Sequence, residues 1–258
     1  MTLNGYRALV CGASRGIGRA AATALADAGA DVILLARDRS GLEQARLTLP
    51  RPDRHQILAI DLSDSDAVRA TMAGWVPTQP AVHILINNAG GPPPGPLLGA
   101  QQHELQAAFA THVLSSQALV QTLVPGMKAA RYGRIINVIS TSVREPIRNL
   151  GVSNTIRAAM AGWSKTLSRE LAPHGITVNN ILPGSTLTDR HRSLIESRAR
   201  QAGTDAATIE RQMLADIPMG RFAAPEEVAA AIEFLASPSA GYITGVNLPV
   251  DGGRISAI

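Results

Sequence analysis

Three glycines, Gly12, Gly16 and Gly18, follow a short apolar run from Ala8 to Cys11 and lead into an alanine-rich helical pattern from Arg19 to Ala28. Their spacing carries chemistry. Glycine permits positive φ and lets a backbone approach a ligand closely. A helix start offers unpaired N–H groups and the positive end of a dipole to a pyrophosphate. The stretch Gly12-Ala13-Ser14-Arg15-Gly16-Ile17-Gly18 is therefore a candidate phosphate cradle, spaced Gly-x-x-x-Gly-x-Gly rather than Gly-x-Gly-x-x-Gly. The next apolar run ends at Arg37, where an NAD-binding domain usually places an acid against the ribose hydroxyls. An arginine there accepts a 2′-phosphate, and Arg15 in the glycine turn adds a second guanidinium. The cofactor expected is NADP(H) in preference to NAD(H). A polar turn, Asn87-Asn88-Ala89-Gly90-Gly91, and a hydroxyl, Ser140, end two further apolar runs. Carboxyl ends of strands are where open α/β sheets bind ligands.

The elements that must hold these groups alternate. Asp31 to Ala36 is a continuous apolar run, as in a strand covered on both faces of a parallel sheet. Further strands are expected at 56–60, 82–86, 133–140, 176–182 and 242–250, and helices at 41–49, 64–74, 101–129, 153–172 and 225–236. Pro50 to Arg54 reads as a loop, and Pro92 to Pro96 as a stiff one. The segment 185–216 breaks the rhythm: polar, Arg-rich and long, with Asp189, Arg190, His191 and Arg192, it reads as a lid. The pattern predicts an α/β fold, one doubly wound Rossmann-type parallel sheet with helices on both faces, in a single domain over 1–258.

Composition bounds the partners. Apolar residues are 45% of 258, which excludes a disordered chain. The net charge of +4 comes from dispersed arginines, since Lys128 and Lys165 are the only lysines. With aromatics at 3%, this is not the dense basic stripe of a nucleic-acid binder. No apolar run reaches the ~20 residues of a membrane span, and residues 1–10 lack a signal-peptide pattern. Cys11 stands alone. A cytoplasmic protein with a small-molecule substrate and no metal is expected.

Taken together, Cys11 to Gly18, Asp61-Leu62, Asn87 to Gly90, Asn137 to Ser140, Pro183-Gly184, Pro218 to Glu227 and Thr244 to Gly253 occur in the order seen in one family. The chain resembles a short-chain dehydrogenase/reductase, nearest in look to the 3-oxoacyl-carrier-protein-reductase-like members. The resemblance implies Asp61 and Leu62 on the adenine side, Asn88, Ala89 and Gly90 on the cofactor, and Thr186 or Thr188, after Pro183-Gly184, near the nicotinamide carboxamide. It also implies a tetramer or dimer. Long helices rich in Ala and Leu at 101–129 and 153–172 agree with such a homo-oligomer.

The family's centre is altered here. Ser140 matches its serine, but the tyrosine thirteen residues on is Ser153 and the lysine four beyond is Arg157. On the preceding helix His112 stands at the place of an asparagine. A serine hydroxyl is too weak an acid to replace tyrosine unaided. Arg157 can hold ribose oxygens and stabilise an alkoxide, yet an arginine does not relay protons. His112, titrating near neutrality, is the expected relay through water. Two readings stay open: an NADP(H)-dependent short-chain oxidoreductase with a rearranged centre (Ser140, Ser153, Arg157, His112), or a catalytically silent NADP(H)-binding scaffold or redox sensor. A lyase or isomerase using the same pocket fits the intact cofactor motifs less well.

Overall fold

Strand and helix alternate from the first described residues onward; the computed structural model describes residues 2–257. The order is β1 (Arg7–Cys11), α1 (Gly16–Asp27), β2 (Asp31–Ala36), α2 (Arg39–Leu47), β3 (Gln56–Ala59), α3 (Ser65–Trp75), β4 (Ile84–Asn87), α4 (Gln102–Phe109), α5 (Ser115–Ala130), β5 (Gly133–Val138), α6 (Gly151–Leu171), β6 (Ile176–Pro183), α7 (Asp189–Ala202), α8 (Ala206–Ala215), α9 (Pro225–Ala236) and β7 (Asn247–Val250). The seven strands are all parallel in the order β3-β2-β1-β4-β5-β6-β7. This is the expected doubly wound sheet, and its order reverses between β1 and β4, where such folds open a ligand crevice.

The apolar runs are continuous because both sheet faces are covered. In β1, Ala8 and Val10 join one core with Leu25 of α1 and Val228 and Ile232 of α9. Leu9 and Cys11 join the other with Val68 and Met72 of α3 and Leu119 and Leu123 of α5. A fully buried side chain of this kind contributes about 1.5–3 kcal/mol. Among the described residues no helix is long and apolar enough to cross a membrane.

Three expectations need correction. The helix expected over 101–129 is divided: a π-turn, Ala110–Leu114, separates α4 from α5. The wider turn buries both His112 and Val113, and such insertions are frequent at functional sites. The segment 185–216 is no irregular loop. Its α7 and α8 share a small core with Ile195, Ala199 and Ile209, joined by Ile217 and Phe222. With so few apolar residues per turn the helical period was masked by charge. Finally, the strand expected at 242–250 pairs only from Asn247; Gly245 bonds to Val178 across a preceding turn.

Candidate active site

The glycine turn is shaped by close approach. Gly12 has φ +64°, and a Cβ there would strike the Asn88 carbonyl. A Cβ on Gly18 would strike the Gly12 carbonyl and lie 2.7 Å from Asn88 Nδ2. Asn88 Nδ2 in turn donates to the Cys11 carbonyl at 3.2 Å, which ties the two turns across the switch point. Helix α1 has Arg15 at its N-cap position with no side-chain cap bond and no acid in its first turn, so its first N–H groups remain free. By contrast Asp38, Asp64, Thr188 and Asp205 cap α2, α3, α7 and α8. Thr188 also reaches this turn, its methyl 3.3 Å from where a Gly16 Cβ would stand. Thr186 is buried and donates to the Gly184 carbonyl at 3.2 Å.

At the far end of the crevice Arg37 lies 3.6 Å from Asp61 and is 72% exposed. Burial pushes the Asp61 carboxyl up, but the Ser63 amide and hydroxyl and the Arg37 guanidinium outweigh it and hold it below the usual range. A loose, solvated pair of this kind leaves the guanidinium free to turn to another anion.

Ser140, Ser153 and Arg157 line one cavity of about 470 Å³ beside Pro183 and Gly184. Ser153 and Arg157 are one turn apart on α6 and share its inner face. Ser140 Oγ accepts from the Ser142 amide at 3.1 Å. Arg157 is buried, and its Nη1 donates to the Val138 carbonyl at 2.9 Å. Burial, with Arg190 adding repulsion, pulls its guanidinium down to about 10. It stays charged at neutral pH.

His112 is placed differently. It lies behind Arg157 in a separate cavity of about 10 Å³ with Asn87, Asn88 and Ser115. Burial lowers it to about 3, with Arg157 and Arg190 adding to the effect against the Gly90 backbone. The expectation that His112 titrates near neutrality fails for that reason: it is a neutral imidazole at pH 7, not a protonated acid.

Two features of the site depend on long-range packing. Asn87, Asn137, Asn180 and Asn247 fall in register across β4 to β7. Their side chains form a ladder of bonds at 2.8, 2.9 and 2.7 Å, joined by Ser164 of α6. It ties the ends of β4 and β5 to the middle of β6 and the start of β7, with Asn87 and Asn137 on the wall of the small cavity beside His112, and only the strand register brings it together. Secondly, Arg190, Arg198 and Arg254 line the same cavity as Arg157. Arg190 belongs to the polar 185–216 segment, and no spacing in the sequence links it to Arg254.

A switch-point crevice with a glycine cradle and a hydroxyl-and-cation cavity beside it defines a dinucleotide-dependent redox fold. The family described as enoyl-(acyl carrier protein) reductase matches residues 12–254, and the chain belongs to the short-chain dehydrogenase/reductase family. Its relatives include 3-oxoacyl-(acyl-carrier-protein) reductase FabG of Vibrio cholerae, 37% identical over 255 residues and 98% of each chain. NADPH-dependent reductase BacG of Bacillus subtilis is 33% identical over 97% of this chain and 98% of its own. Among solved structures, L-sorbose reductase from Gluconobacter frateurii, complexed with NADPH and L-sorbose, matches with TM-score 0.93 and 31% identity over 100% of this chain and 99% of that one.

Proposed function

We propose that this chain is an NADP(H)-dependent oxidoreductase that reduces a carbonyl, or oxidises the matching alcohol, through a centre built on Ser140, Ser153 and Arg157. The observation that carries it is Arg157: a buried cation at the cavity wall with no carboxylate within 4 Å among the described residues. The free N-terminus of α1 and the cradle at Gly12 and Gly18 fit a pyrophosphate. Gly12, Ser14, Gly16, Ile17 and Gly18 would hold it, with Arg15 and Arg37 on the 2′-phosphate. Asp61 and Leu62 would face the adenine, Asn88, Ala89 and Gly90 the ribose, and Pro183, Gly184, Thr186 and Thr188 the nicotinamide. When bound, the cofactor supplies the hydride that reaches the carbonyl carbon. A relative named as NADPH-dependent and a similar structure complexed with NADPH support that choice.

The chain's own groups do the rest. Ser140 and Ser153 orient the carbonyl oxygen. Arg157, buried at the cavity wall, stabilises the negative charge that develops on it. The proton that completes the alcohol comes from water, because arginine keeps its own and His112 is neutral. The cavity beside His112 has the volume of about one water. Helices α7 and α8 form the lid over the cavity of about 470 Å³ that Ser140, Ser153 and Arg157 line. Exposed Phe109, before the π-turn, and Leu114, at its end, leave apolar surface that fits a homotetramer or dimer; a cytoplasmic location is part of the same reading.

The test is calorimetric titration with NADPH and NADH, followed by a ketone panel. Tighter NADPH binding and turnover of any member support the reading. The double change Ser153→Tyr with Arg157→Lys separates it from a silent binder. A re-tuned centre loses its native reaction; a merely damaged one gains simple-ketone reduction, by a large part of the ~10²–10⁴-fold a general acid contributes. That gain, with a parent inactive on everything, overturns the proposal in favour of a silent scaffold or redox sensor.

A further inference from the structure

Four guanidiniums meet in the substrate cavity, and one carboxylate, Asp216, shares its wall. They form two groups. Around Gly91, a Cβ would lie 2.8 Å from Arg190 Nη2 and 3.5 Å from Arg157 Nη2, so these two heads flank a single point. Arg190 is held there by the Gly91 and Pro92 carbonyls at 2.8 and 3.1 Å. Arg198, two turns along α7, belongs with Arg254 of the C-terminal tail: burial lowers the Arg198 guanidinium and Arg254 repels it further. Arg254 Nη1 donates to Thr141 Oγ1 at 3.3 Å, next in sequence to Ser140.

Two carboxylates beside the tail accept backbone amides, and Asp216 on the cavity wall lies beyond 4.0 Å of either arginine among the described residues. Glu145 Oε1 accepts from the Ser256 and Ala257 amides at 2.9 and 3.0 Å. Asp251 accepts from the Gly253 and Ile255 amides at 3.0 and 2.9 Å. Among the described residues neither Arg198 nor Arg254 lies within 4.0 Å of an acid. His191 completes the wall: it is 7% exposed, stacked edge-on against Phe222, and its Nε2 has no partner. Like charges gathered around one cavity cost free energy in the fold. A bound anion reverses that cost, and guanidinium forks match the oxygens of a carboxylate or phosphate.

We propose that the cavity is selective for a small carbonyl compound bearing an anionic oxygen group, which Arg198 and Arg254 hold while its carbonyl lies against Ser140, Ser153 and Arg157. The substrate class of the proposed reductase is thus a short oxo acid or a phosphorylated ketose. The inference rests on that reading for the carbonyl and on the arginines alone for the anion. Because Arg254 reaches Thr141, the anionic group sits only a few bonds from the reacting carbon.

The test pairs each anion with a neutral counterpart: 4-oxopentanoate against 4-oxopentanamide, which has almost the same shape, and dihydroxyacetone phosphate against dihydroxyacetone, which lacks the anionic group. Thermal shift and KM are measured for each, with and without NADPH. The expected result is roughly 10–100-fold tighter binding of at least one anion over its neutral counterpart. Preference for the first pair names a carboxylate, for the second a phosphate. Arg198→Gln and Arg254→Gln should each erase most of that preference through KM more than kcat, with Arg198→Lys restoring part of it. Equal binding of anion and neutral partner in the unmodified protein overturns the proposal whatever NADPH does. A protein that shows the anion preference but neither binds NADPH nor turns over keeps this site and loses the reductase reading.

Discussion

Replacing Arg157 with methionine separates the catalytic reading of that residue from a structural one, because the two predict opposite changes in stability. Burial and Arg190 hold its guanidinium at about 10 in place of 12.5. That difference is a penalty of roughly 3 kcal/mol on the folded state. The sign is set by the lowered value: the penalty is complete wherever pH lies below about 10 and fades only as pH rises through it. Methionine removes it. The change also forfeits the bond to the Val138 carbonyl, a loss of about 1–3 kcal/mol with the acceptor left unpaired. The balance is about 0–2 kcal/mol in favour of the variant, as found when buried charges give way to apolar groups. For a chain of this size that is a Tm change of roughly 0 to +6 °C, flat between about pH 6 and 8. Turnover should fall ~10²–10³-fold, the usual effect of deleting a preorganised donor to an oxyanion. Differential scanning fluorimetry and NADPH oxidation measure the two effects. A Tm lowered by several degrees with turnover within twofold of the parent would refute the argument and leave Arg157 a structural residue.

Arg37→Asp should weaken NADPH binding about tenfold, the low end for a charge-assisted bond because the residue is 72% exposed; calorimetry showing equal NADPH and NADH affinities in the parent would remove its basis. Gly18→Ala drives a methyl into the Gly12 carbonyl and Asn88; a stability loss of about 1–3 kcal/mol in urea melts and loss of NADPH binding are expected together. His55, His83, His112 and His191 are all lowered by burial. Their unfolded forms take up protons first, so stability should decline as pH falls below about 6.5. His112→Asn should reduce that decline while leaving any activity profile without a histidine step between pH 6 and 8; a step at 6.5 that vanishes in the variant would contradict the neutral imidazole.

How much of this could be read from the chain follows from what each signal depends on. The glycine cradle, the apolar strands and the end of β2 at Arg37 are local, and backbone freedom, burial on two faces and charge act over a few residues. The expectation of an altered centre at Ser140, Ser153 and Arg157 comes from the family resemblance; the structure shows that all three line one cavity, with Ser153 and Arg157 one turn apart on α6. Burial was not legible. His112 looks like a physiological titrant until the π-turn carries it inside, behind a buried arginine. The α7–α8 pair resembled a loop because its apolar face is narrow and is completed by Ile217 and Phe222 from outside both helices. The asparagine ladder needs the register of four strands whose chain positions span 87 to 247. The meeting of Arg157, Arg190, Arg198 and Arg254 needs the tail to fold back over Thr141. Residue type and short spacing determine which groups can bind phosphate or hold charge. Long-range packing decides which of them share a cavity, and how far the removal of water shifts their charge.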